Sequence, residues 1–154
     1  MVDPARRPAP SVYDQDFARW TAEQADLLKA GHSVGLDWDN LAEEIETLGR
    51  SERGEIRSRL VVLILHLLKW EFQPAKRKSG WRASIIEARD QLGEVLSASP
   101  SLKSYPDQIL RKQYEIARLR AADESGLDPS TFPDECPYAI GQLLDEGFYP
   151  GNEL

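Results

Sequence analysis

Cysteine is almost missing from this chain of 154 residues, where Cys136 stands alone. A single thiol excludes an intramolecular disulfide. With only two histidines, His32 and His66, no Cys or His pair has the spacing of a structural zinc site, so neither a metal nor another cofactor is expected. A reducing compartment follows, and the sequence predicts a cytoplasmic protein. Long apolar runs are equally scarce. The longest, Leu60 to Leu65, falls far short of the roughly 20 residues a membrane-spanning helix requires. The opening MVDPARRPAP has no apolar stretch of the kind an ordinary secretory signal needs, and its charge and proline predict a disordered tail over residues 1–10. No segment alternates apolar and polar residues with the two-residue period of a half-buried strand. There is no glycine-rich phosphate loop and no Gly-x-Ser-x-Gly elbow.

What remains is helical periodicity. The sequence predicts an all-α protein, a single-domain bundle of about five helices over residues 11–150, with residues 151–154 as a short end. Its centre is the segment 51–72, SERGEIRSRLVVLILHLLKWEF, which is nearly apolar around its circumference beyond Arg59. A helix of that kind must be wrapped by others. At 100° per residue, Glu52, Glu55, Arg59, Val62, His66, Lys69, Trp70 and Gln73 share one narrow stripe, expected to be its only wet face.

Flanking helices follow from caps and stops. Ser11 with Asp14 opens a helix expected to run unbroken from Tyr13 to Ala30, ahead of Gly31. Asn40 with Glu43 repeats the capping signal before the stripe Leu41, Ile45 and Leu48, and Gly49 is expected to bend or briefly break the chain there. Pro74 closes the central helix. Ser79 is expected to cap the next one, whose Trp81, Ile85, Ala88, Leu92, Val95 and Leu96 share one face. Pro106 suits the first turn of a further helix that stops at Ser125-Gly126. The proline-rich tail, with a short helix around Ile140, Leu143 and Leu144, is expected to wrap the bundle.

Charge is segregated. Residues 1–49 hold 4 Lys/Arg against 10 Asp/Glu, a net −6; residues 50–89 hold 10 against 4, a net +6; residues 90–154 hold 5 against 12, a net −7. Internal complementarity of acidic flanks and a basic centre is favoured over a nucleic-acid footprint, because the acidic whole repels phosphate at long range.

With the helices placed, the chain resembles a family of small bacterial helical proteins, domain of unknown function 29. The resemblance covers nearly everything from Tyr13 to Pro150. It rests on Tyr13-Asp14-Gln15-Asp16-Phe17 with Trp20, Glu43-Glu44-Ile45-Glu46 ending at Leu48-Gly49, and Arg57-Ser58-Arg59-Leu60. It continues through His66-Leu67-Leu68-Lys69-Trp70 with Gln73-Pro74, Trp81-Arg82 with Glu87 and Arg89, and Phe132-Pro133 with Cys136-Pro137-Tyr138. The resemblance implies an α-helical fold and a bacterial source, and transfers no catalytic residue.

Polar groups at apolar positions are the remaining lead, since a buried charge is either paired or functional. Arg57 lies seven residues before Ile64, on the apolar side, and Glu44 is its expected partner in a buried ion pair. Arg59, His66, Lys69, Trp70 and Arg82 form the candidate polar cluster. The di-metal carboxylate pattern fails, because Leu63 stands where His66 would need a glutamate. Cys136 has no basic neighbour in sequence to lower its thiol pKa.

Three functions are compatible with these residues. The favoured one is a protein-interaction or regulatory module whose basic central segment, Arg50 to Arg89, meets an acidic surface of a second copy or a partner. An alternative is a small enzyme or ligand-binding protein with His66 as general base in an anion pocket. The other is nucleic-acid contact through Lys76, Arg77, Lys78 and Arg82, disfavoured by net charge.

Overall fold

The computed structural model describes residues 11–151. The expected tail at 1–10 and all of the short end but Gly151 lie outside them. The described residues form six helices: α1 (Val12–Gln15), α2 (Phe17–Lys29), α3 (Trp38–Phe72), α4 (Ser79–Ala98), α5 (Tyr105–Ser125) and α6 (Ile140–Leu144). Three short 3-10 turns, each starting at a proline, sit at Pro74–Lys76, Pro100–Leu102 and Pro129–Thr131. No strand occurs among the described residues, so the protein is all-α. The chain divides into two compact units, Met1–Gly49 and Arg50–Leu154.

In the first unit, Ser11 caps α1 by accepting from the Asp14 N–H. The expected single helix from Tyr13 to Ala30 is interrupted at Asp16, which leaves helical geometry at φ −150° and ψ 86°. The cause is local. Asp16 turns its carboxylate back to accept from the Arg19 N–H at 3.0 Å, capping α2, and a capping residue cannot also be helical. Tyr13, Phe17 and Trp20 cluster around that corner, with Tyr13 and Trp20 edge to face at 4.8 Å. Trp20 Nε1 donates to Asp37 at 3.0 Å, and the Gln24 amide both donates to the Gly35 carbonyl and accepts from the Asp37 N–H. Gly31 and Gly35, at φ 70° and 90°, turn the intervening loop. Asp37, whose carboxylate receives the Asn40 side chain at 2.8 Å, thereby marks the start of α3, three residues ahead of the expected Asn40 cap. Of the bend or brief break expected at Gly49, the break does not occur: α3 is helical throughout Trp38–Phe72. One interior glycine costs a helix only about 1 kcal/mol, too little to break one so long.

The second unit is built on the apolar half of α3. Ile56, Leu60, Leu63, Ile64, Leu67 and Leu68 are all fully buried. Ile85, Ala88 and Leu92 of α4 cover them, with Tyr114, Ala117, Ala121 and Ala122 of α5. Alanines at the α5 contact remove side-chain bulk and let the helix come close. Pro106 occupies the first turn of α5, and Gly126, left-handed at φ 71°, ends it. The C-terminal segment wraps this core through buried Phe132, Tyr138, Leu143 and Pro150. Two expectations fail here. Ser79 is the first residue of α4 rather than its cap, which falls on Lys78 with no side-chain bond. The stripe expected to be wet is instead half-covered, with Lys69 and Gln73 buried, because neighbouring elements close over both of its edges.

Candidate functional site

Arg57 is exposed, and its guanidinium donates to the Tyr105 hydroxyl at 2.9 Å. Its backbone carbonyl, not its charge, engages the core, accepting from the buried Gln113 amide. Glu44 accepts the Tyr13 hydroxyl at 2.6 Å, a bond that raises the phenol to about 12. The two residues proposed as a buried ion pair thus each hold a tyrosine.

The candidate polar cluster resolves into separate arrangements along α3 and α4. Arg59 pairs with Glu55 one turn earlier, at 2.8 Å. His66 Nδ1 lies 2.7 Å from the Val62 carbonyl oxygen; a carbonyl only accepts, so Nδ1 carries the proton and Nε2 is left as an acceptor. Burial, reinforced by the Lys69 charge, holds the imidazole below its ordinary pKa despite that bond. Lys69, 8% exposed, threads its stem through the core edge so that the ammonium meets Glu124 at 2.7 Å and lies 4.8 Å from the Trp81 ring centre.

Trp70 belongs to a different group. Its ring contacts Tyr149 at 5.2 Å and carries the Arg77 guanidinium at 4.9 Å, while Arg77 Nε donates to the Trp70 carbonyl. Arg82 lies 5.7 Å from Tyr149, at the rim of a concavity of about 250 Å³ shared with Ile86, Asp90 and Glu146. Tyr149 therefore links Trp70 to Arg82. His66 lines neither this concavity nor the larger ones beside Cys136 and beside Pro100.

Two polar centres lie outside the candidate site residues. Arg89, 4% exposed, directs its guanidinium at the carbonyls of Leu143, Gln142, Glu146 and Phe148. Its position four residues after Ile85 and eight after Trp81 was the available signal, since that phase is the core face of α4. The second is Tyr138, buried, whose hydroxyl donates to Glu71 at 2.5 Å. Burial and that carboxylate push its pKa far up, so it stays a neutral donor. Cys136 donates weakly to the Tyr138 carbonyl, and burial raises its thiol, which disfavours the nucleophilic thiolate. Among the described residues no group of three His, Cys, Asp or Glu is placed to hold a metal ion. Among the described residues no helix is long and apolar enough to cross a membrane.

Fold and side chains together define an all-α protein with a packed leucine-rich helix and polar side chains engaged in structural bonds. The chain belongs to the family described as domain of unknown function DUF29, whose model matches residues 12–149 and so runs through both units. No curated protein and no solved structure matches it.

Proposed function

We propose that this protein is a helical interaction module whose basic segment, residues 50–89, binds an acidic surface on a partner protein or a second copy. The observation that carries the reading is the turn joining α3 to α4. Lys76 and Lys78 there and Arg82 in the first turn of α4 are all exposed, and the last two have their charged heads over the rings of Trp81 and Tyr149 rather than against carboxylates. A cation held over an aromatic face is not neutralised by a counter-charge, so its field still reaches solvent. The net +6 of this segment against −7 in the residues that follow makes the patch a local field reversal. A cytoplasmic setting and a bacterial source accompany this reading.

Light scattering and lysate capture test it at low salt and at about 0.5 M salt, where exposed charges interact over well under ~8 Å. The expected result is a mass above the monomer, or a captured partner, lost at high salt and lost in a Lys76→Glu, Lys78→Glu, Arg82→Glu variant. A salt-independent monomer that captures nothing would overturn it. Retention of DNA or RNA with a steep salt dependence would replace it with phosphate contact.

A further inference from the structure

The first unit carries an exposed apolar surface of its own. Along the start of α3, Trp38 is 63% exposed, Ile45 68% and Leu48 69%, with Leu41 half-buried beside them. They follow one another at i, i+3, i+7 and i+10, the spacing of a coiled-coil seam. Ala42 and Gly49 fall within the same strip, which spans about 120° of the helix at 100° per residue. Large side chains alternating with small ones give a strip that a second helix can approach closely.

Charge decides which helix. Asp39 and Glu46 border the strip on one side and Glu44 on the other. From Leu36 to Gly49 the sequence holds five Asp/Glu and no Lys or Arg. The Tyr13 hydroxyl donates to Glu44 at 2.6 Å, which fixes that border carboxylate in place. We propose that this stripe seats an amphipathic helix of another protein, with an apolar seam flanked by Lys and Arg. A second copy offering the same stripe would set carboxylates against carboxylates, which disfavours self-pairing. Trp38 is the anchor, as exposed tryptophans in helix-binding surfaces tend to be. The stripe belongs to the first unit and the basic turn to the second, and either reading can fail without the other.

The test titrates the full chain with two synthetic helical peptides of about five turns. Both carry leucine at i, i+3 and i+7 spacing, one with lysine and the other with glutamate at the flanking positions. The leucine-lysine peptide is expected to bind, shift tryptophan emission in a way that Trp38→Phe abolishes, and weaken with added salt. Ile45→Lys is expected to weaken it at least ~10-fold, equivalent to ~1.4 kcal/mol, with unchanged helix content because Ile45 is already exposed. Should that variant misfold, Leu48→Ala, expected to weaken binding severalfold, takes its place. Equal binding of the leucine-glutamate peptide, or unaltered affinity in the variants, would overturn the proposal. So would a wild-type dimer that Ile45→Lys converts to monomer, since a second copy would then be the occupant. Shielding of Trp38 from acrylamide in the peptide-free chain would do the same, by showing the stripe already covered.

Discussion

Arg89 Nη2 donates to the Phe148 carbonyl oxygen at 2.7 Å, and the same guanidinium reaches Leu143 at 2.8 Å. One side chain of α4 thereby serves the last carbonyls of α6 and the turn beyond it, groups that a helix end leaves without intrahelical partners. Burial lowers the Arg89 pKa, and the neighbouring Tyr149, Asp145 and Glu146 oppose that shift. Arginine remains charged at any physiological pH.

Replacing Arg89 by Met is therefore expected to destabilise the protein by about 3 kcal/mol, because several buried carbonyls lose their donor at once. Lysine should recover little, since a point charge cannot reproduce the planar fork. Denaturant unfolding gives the magnitude. Hydrogen exchange is expected to show protection lost first over residues 140–149.

Lys69 and Glu124 offer a contrast between breaking a pair and removing it. Glu124→Gln leaves a buried ammonium facing a neutral amide, and a loss of about 1–2 kcal/mol is expected, discounted because Glu124 is 46% exposed. Lys69→Met keeps the stem and deletes the charge, so its stability should lie within ~1 kcal/mol of wild type. Urea midpoints of the two variants check the order.

His66 makes stability depend on pH with a definite sign. Its folded pKa is below the ordinary 6.5, so between the two values the unfolded chain binds more protons. The contribution is fully present above pH 6.5 and is lost as pH falls toward the folded value. Unfolding free energy should drop on acidification through that window by at most ~1.4 kcal/mol per pH unit from this group. His66→Gln, measured across the same range, should flatten the slope.

Gly93 lies inside α4, and a Cβ there would meet nothing within 4 Å. Gly93→Ala is accordingly expected to raise stability by about 0.5–1 kcal/mol, through reduced freedom of the unfolded chain. Thermal melting measures it.

The helices and most of the core of the second unit were legible in the sequence because they depend on period and stop signals, which are local. The faces of α4 and the leucines of α3 lie where 100° spacing put them. The site was far less legible. Glu44 and Arg57 lie on different faces of α3 and ~20 Å apart along its axis, and tyrosines distant in sequence, Tyr13 and Tyr105, take them. The Asp16 break is not legible in the sequence, because a capping aspartate and a helical one look alike until the backbone turns.

By itself, then, the sequence determined that this chain is all-α, that Leu60, Ile64, Leu67 and Leu68 would be enclosed, and that charge would divide into acidic, basic and acidic stretches. Tertiary structure alone decided that Lys69 is buried and Arg57 is not, that Arg89 ties down the C-terminal segment, and that the Trp38, Ile45 and Leu48 stripe is uncovered. The physical reason is range. Helix formation and apolar phase are fixed within a few turns of the chain, whereas the partner of a polar group and the cover over an apolar one come from residues tens of positions away.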